Sequence, residues 1–240
     1  MSIRKHIPDT ITSMNLLCGV MGVIFTLKGR PDTGFLLMIG GAVFDFFDGL
    51  AARLLKVSSG IGKELDSLAD MVSFGVLPSV MLFGLGGTSI RFLKSLPLIL
   101  AVFSALRLAK FNLDERQHDS FMGLPTPAAA MVCGSLAYYV HDVPASLLAG
   151  WCHGPVFIPV LALVLCALLV CEVPMFSMKF GGGNKAGRTD NLKRLIFVAV
   201  ALISVIAVAV TGTNWALAVL VAFTGYIIIN LVFAFIRTAE

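Results

Sequence analysis

Eight apolar runs, at residues 11–27, 34–55, 67–86, 95–110, 125–140, 155–173, 195–211 and 215–236, recur along a chain of 240 residues. Each approaches the roughly 20 residues that an α-helix needs to cross a bilayer core. A soluble domain has no use for so many. With 58% hydrophobic and 13% charged side chains and a mean hydropathy of +0.92, the composition lies outside the globular range. The expected fold is an all-α integral membrane protein, a bundle of about eight transmembrane helices, forming one domain over residues 1–240. The first run follows only Arg4 and Lys5 and lacks a small-residue cleavage site, so a removed signal peptide is not expected.

Lysine and arginine orient the bundle. With the amino terminus inside, fourteen of the eighteen fall in cytoplasmic segments, and four (Lys28, Arg30, Arg91 and Lys94) fall outside. Cytoplasmic loops accumulate these residues, so both termini are expected in the cytoplasm. The net charge of +4 then reflects this bias and contact with anionic lipid. No basic stripe with interleaved aromatics points to nucleic acid. Cys18, Cys133, Cys152, Cys166 and Cys171 lie in or beside apolar segments without a CxxC pair, which suggests neither a disulfide framework nor a zinc site. The stretch "GGGNKAGR" within 179–194 lacks the strand-then-helix setting of a nucleotide loop and reads as a linker.

Against this background four carboxylates stand out, at Asp45, Asp48, Asp66 and Asp70. Asp45 and Asp48 are three apart on a helix, so they share a face, which Gly49 and Ala52 continue with almost no side chain. Asp66 and Asp70 are four apart and begin the next run, so they also share a face. Two helices can thus offer two carboxylates each to one point, on the cytoplasmic side. At membrane depth each costs roughly 2.5–3.5 kcal/mol even on the lenient insertion scale, and something cationic must compensate. The all-oxygen ligand set, without His or Cys, selects hard ions such as Mg²⁺, Mn²⁺ or Ca²⁺. Four carboxylates suit a pair of divalent ions, the arrangement that clamps phosphoryl groups during in-line displacement. An ion pathway, a proton relay or structural neutralisation of Lys63 and Arg53 also fits the charges alone.

Spacing narrows the choice. The stretch reads Asp45-x2-Asp48-Gly49-x2-Ala52-Arg53-x8-Gly62-x3-Asp66-x3-Asp70, eight fixed residues in a 26-residue window. It resembles the motif of the CDP-alcohol phosphatidyltransferase family at every fixed position. The resemblance implies that the four aspartates bind two divalent cations, Mg²⁺ or Mn²⁺, which hold the pyrophosphate of a CDP-linked lipid while an acceptor alcohol displaces CMP. It implies further that Asp70 is also the base for the acceptor hydroxyl, that Gly49, Ala52 and Gly62 leave room for the nucleotide, and that Arg53 and Ser59 contact phosphate. Small residues do let a bulky cytidine approach a helix, and Arg forks match phosphate oxygens.

The motif identifies the chemistry but not the alcohol. "SALRLAKFN" (104–112), "FMGLPTPAAA" (121–130), "VPMFSMK" (173–179) and "IPDTITSMNLLCG" (7–19) resemble the phosphatidylserine synthase branch, so the likeness covers most of residues 7–180. It implies CDP-diacylglycerol and L-serine as substrates, CMP as product, membrane lipids around a homodimer, and a bacterial-type inner membrane with a cytoplasm-facing site. Thr12 and Asn15 are candidates for the CDP-lipid; Asp9 stands where the family more often has Asn and is given no cytidine contact. An amino acid needs a cation for its carboxylate, and Arg107, Lys110 and Asn112 at the cytoplasmic end of the fourth run are candidates, although such residues also serve as topology anchors. Rival readings are another acceptor (glycerol 3-phosphate or an inositol phosphate), an archaeal ether-lipid donor, and, from a different class, a divalent cation transporter. Phe44, Phe46 and Phe47 read as lipid or helix contacts, and Gly19, Gly22, Gly40, Gly41 and Gly134 as close helix crossings.

Overall fold

The computed structural model describes residues 6–57, 60–113, 121–176 and 188–239. In chain order the helices are α1 (His6–Leu27), α2 (Pro31–Leu55), α3 (Gly60–Asp70), α4 (Leu77–Leu85), α5 (Arg91–Ser95), α6 (Ile99–Leu113), α7 (Thr126–Asp142), α8 (Leu147–Cys152), α9 (Phe157–Val170), α10 (Arg188–Thr211) and α11 (Trp215–Ala239). A π-helical turn, Met71–Val76, joins α3 to α4 without a break, and a 3₁₀ turn, Leu96–Leu98, joins α5 to α6. Among the described residues, six helical stretches are long and apolar enough to cross a membrane: His6–Leu27, Pro31–Leu55, Gly60–Leu85, Arg91–Leu113, Asn191–Thr211 and Trp215–Ile236. The other two expected spans are α7, of 17 residues, and α9, of only 14. The all-α membrane architecture is thus as expected, with one small addition. Two-residue strands, β1 (Phe121–Met122) and β2 (Pro174–Met175), pair antiparallel.

The bundle is organised around α7. Lipid tails are as apolar as leucine, so membrane helices associate through close packing of small residues and interhelical polar contacts. α7 buries Ala128, Ala129, Ala130, Cys133, Gly134 and Ala137 and packs against α2, α4 and α11. A Cβ on Gly134 would collide with Met38 and Phe35 of α2. Phe35 in turn stacks on Trp215 of α11 at 5.6 Å. At the other extreme, α10 is almost wholly exposed, with 6% of its span buried, and packs chiefly on α11. In water such a helix would be an aggregation hazard; a bilayer tolerates the exposure.

α1 is the wedge that builds the site. It packs along α2 and also against α3, α4 and the π turn, whereas α2 and α3 make little direct contact with each other. Two glycines allow the close approach of α1: a Cβ on Gly22 would lie 2.6 Å from Leu77 Cδ2, and one on Gly41 would lie 2.8 Å from Asn15 Oδ1. Gly40 differs from expectation, since its Cβ would meet only Cys18 Sγ at 3.7 Å, an ordinary contact. All five cysteines are free. Cys152, outside the spans, is fully buried, which pushes its thiol up to about 11.

Candidate active site

α2 ends at Lys56, in left-handed conformation (φ 51°), whose N–H donates to the carbonyls of Ala52 and Arg53. The chain then reverses into α3. The third helical stretch begins at Gly60 rather than at residue 67, so Asp66 and Asp70 lie within the helix and not at its start. The shift has a geometric effect. Asp48 is seven residues before the end of α2 and Asp66 six residues after the start of α3, so they stand about 10.5 and about 9 Å from the turn at 1.5 Å per residue. Asp45 and Asp70 stand one turn deeper.

Asp45, Asp48 and Asp66 each place a carboxylate oxygen within 4.8 Å of the others. Bringing three carboxylates together costs repulsion that a bound cation or a shared proton relieves, and the all-oxygen set fits a divalent ion. Asp48 is 6% exposed and accepts a 2.7 Å hydrogen bond from Thr12 Oγ1, which fixes its rotamer. Asp70 lies outside that trio yet within electrostatic reach of all three partners, and it accepts from Asn15 Nδ2 at 3.2 Å. Asn15 is held in turn: Ser73 Oγ in the π turn donates to its carbonyl at 3.0 Å. A π turn directly after Asp70 re-aims the helix, and such bulges cluster at functional sites.

A cavity of about 270 Å³ opens beside the carboxylates. Its walls are Pro8, Asp9 and Thr12 from α1, Asp48, Gly49 and Ala52 from α2, Val57, and Gly62, Lys63 and Asp66 from α3. Thr12, Gly49, Ala52 and Gly62, singled out from the sequence, are thus gathered around one space. A Cβ on Gly49 would meet nothing nearer than Arg53 Nη2 at 4.0 Å, so no helix crossing demands that glycine. Asn15 sits below the cavity, with Asp70. Arg53 is exposed and folds back, its Nε donating to Gly49 O at 2.9 Å. Ser59 lies outside the described residues.

The three amino-acid-binding candidates separate. Arg107 is 7% exposed, lies within electrostatic reach of Asp70, and donates from Nη1 to Thr126 Oγ1 at 3.4 Å. Lys110 pairs at the surface with Glu172 at 3.3 Å. Asn112 Nδ2 donates to Ser67 Oγ at 2.8 Å, and its carbonyl accepts from Lys63 Nζ at 3.4 Å. Sequence reasoning missed Ser73 and Thr126, which hold Asn15 and Arg107; Ser73 follows Asp70 by three residues in an apolar run, a polar intrusion that is signal in itself. It also gave no role to Asp9, which lines the cavity.

The carboxylate cluster of α2 and α3 stands beside a pocket walled by small residues, an arrangement with the chemistry to hold a divalent ion and a phosphorylated substrate. The chain belongs to the CDP-alcohol phosphatidyltransferase family, whose pattern residues 5–177 match. It is similar to CDP-diacylglycerol–serine O-phosphatidyltransferases of several organisms. That of Bacillus subtilis is 36% identical over 149 residues, covering 62% of this chain and 83% of the relative. That of Mycobacterium leprae is 33% identical over 182 residues, 72% of this chain and 58% of the relative. The Saccharomyces cerevisiae protein is 37% identical over 156 residues, 57% of this chain and 55% of the relative. The chain therefore spans little more than half the length of the last two.

Proposed function

We propose that this protein transfers the phosphatidyl group of CDP-diacylglycerol to the hydroxyl of L-serine, giving phosphatidylserine and CMP. The observation that carries the reading is the meeting of Asp45 with Asp48 and Asp66, the last two at the wall of a cavity that Gly49 and Ala52 also line. The activity named for the relatives supplies the acceptor.

In this reading Asp45, Asp48, Asp66 and Asp70 hold two divalent cations, Mg²⁺ or Mn²⁺. When bound, such ions supply positive charge to the pyrophosphate oxygens and to the departing CMP. Thr12 keeps Asp48 turned toward the cluster, and Asn15 keeps Asp70 beside it. Asp70 takes the proton of the serine hydroxyl as that oxygen forms its bond to the lipid-bearing phosphorus; the bond from this phosphorus to the CMP oxygen breaks, and CMP leaves with the electron pair. Gly49, Ala52 and Gly62 admit the cytidine, while Arg53, released from the Gly49 carbonyl, and Ser59 take phosphate oxygens. Arg107 receives the serine carboxylate through its planar fork, with Lys110 and Asn112 at the entrance. The site opens to the cytoplasm of a bacterial-type inner membrane, the acyl tails enter sideways from the bilayer, and the protein works as a homodimer.

The test is a competition. Purified protein in mixed micelles receives labelled CDP-diacylglycerol with serine, glycerol 3-phosphate and an inositol phosphate together, and the lipid products are separated. Phosphatidylserine as the main product supports the reading, and a dominant phosphorylated-alcohol product refutes it. Metal flux into sealed vesicles without CMP release would mark a transporter instead.

A further inference from the structure

α11 lies beyond the matched residues 5–177, yet it buries two polar side chains completely, Tyr226 and Asn230, both 0% exposed. A buried amide or phenol in an apolar helix is costly unless its hydrogen bonds are made. Both go to one residue. Tyr226 Oη donates to the carbonyl of Phe176 at 3.0 Å, and Asn230 Oδ1 accepts from the Phe176 N–H at 3.0 Å. Asn230 Nδ2 then donates to the Tyr226 carbonyl one turn back, at 2.8 Å. The rings of Phe176 and Tyr226 meet edge to face at 4.9 Å.

Phe176 directly follows β2, whose Met175 and Pro174 pair with Phe121 and Met122. The Gly123 N–H donates to Val173 O at 2.9 Å, and three residues further on Thr126 accepts from Arg107. The Tyr226 hydroxyl is itself within electrostatic reach of Arg107. The guanidinium lies near the Phe111 ring, 5.3 Å from its centroid, and its buried Nε has no hydrogen-bond partner among the described residues. α11 therefore braces the strap formed by β1 and β2, and the strap leads to Arg107, a buried cation within electrostatic reach of Asp70.

We propose that Tyr226 and Asn230 are positioning residues of the acceptor site: by clamping the backbone of Phe176 they set the strap, and with it the place of the Arg107 guanidinium, which takes the carboxylate of the acceptor amino acid. The inference rests on the acceptor reading given above. A helix outside the matched region thus tunes acceptor affinity while leaving the donor half of the site alone.

The test uses the full chain, purified in mixed micelles, as wild type, Tyr226→Phe and Asn230→Leu. Loss of one hydrogen bond is expected to raise the KM for serine about fivefold in Tyr226→Phe, and an unpaired Phe176 N–H to raise it about tenfold or more in Asn230→Leu. The KM for CDP-diacylglycerol, kcat, and the Tm rise induced by CDP-diacylglycerol remain near wild type. A serine KM that does not move, or serine and donor KM values that climb together, overturns the positioning role. If Asn230→Leu loses the donor-induced Tm rise, Tyr226→Phe, which deletes one oxygen and keeps the ring packing, decides alone. Wild-type protein that makes no phosphatidylserine from serine overturns the acceptor reading itself, a result seen before any variant is compared.

Discussion

Replacing Gly49 by alanine separates what the fold needs from what a ligand needs. Inside a helix glycine costs about 0.5–1 kcal/mol relative to alanine, and the new Cβ would meet no atom nearer than Arg53 Nη2 at 4.0 Å. The fold alone should therefore gain, by about 0.5–1 kcal/mol, or about 1–4 °C in Tm for a chain of this size. The methyl group, however, enters the cavity that the proposed function gives to cytidine. Crowding a fitted site by one carbon costs about 1–3 kcal/mol, which is a loss of about 5- to 150-fold in kcat/KM at 1.36 kcal/mol per decade. Thermal unfolding and initial rates of CMP release, measured on the same preparation, should thus move in opposite directions. Two further glycines calibrate the result. Gly60, whose Cβ would meet nothing within 4 Å, should gain stability as alanine and keep its activity. Gly41, whose Cβ would press on Asn15 Oδ1 at 2.8 Å, should lose stability. A Gly49→Ala protein with wild-type kcat/KM would refute the reasoning, because the space beside Asp48 would then be unused by substrate.

Further outcomes follow from the same geometry. Asp70→Asn removes the proposed proton acceptor but keeps an oxygen for Asn15; CMP release should fall at least about 1,000-fold while membrane insertion is unchanged, and near-normal release would disprove the assignment. Thr12→Val deletes the 2.7 Å bond to Asp48, and the Mg²⁺ or Mn²⁺ concentration giving half-maximal activity should rise about 5- to 10-fold, read from metal titrations of rate. Chelation with EDTA should abolish transfer and either ion should restore it, whereas persistence of activity after exhaustive chelation would exclude the two-cation reading. Cys152, its thiol pushed up to about 11 by burial, should resist maleimide in the folded protein at pH 7 and become reactive on denaturation or as pH approaches that value, as followed by mass spectrometry.

The legible part of this protein was the part written along single helices. Run length announced the spans, and three- and four-residue spacing put Asp45 with Asp48 and Asp66 with Asp70. The least legible were the ends: the helix carrying Asp66 and Asp70 starts at Gly60 because "GIGKEL" is helical though polar, and apolar-run reading begins only where hydropathy rises. α9 falls short of its expected span because Cys171–Phe176 leaves the helix to pair with the segment before α7. That pairing had no local signature, since two-residue strands carry too little alternation to read.

Residue spacing determined which aspartates share a face of their own helix, because rotation per residue is set by the backbone; the depth of Asp66 and Asp70 depended on where α3 starts, at Gly60. Only the tertiary structure decided that α1 wedges between α2 and α3 to leave a cavity, that Asp70 stands apart from the other three carboxylates with Asn15 and Arg107 for neighbours, and that α11 reaches back to hold Phe176. These depend on how far helices remote in sequence can approach and rotate against one another. That is settled by the small residues of α7, by Gly22 and Gly41, and by a few buried polar bonds whose partners lie between 19 and 58 residues apart.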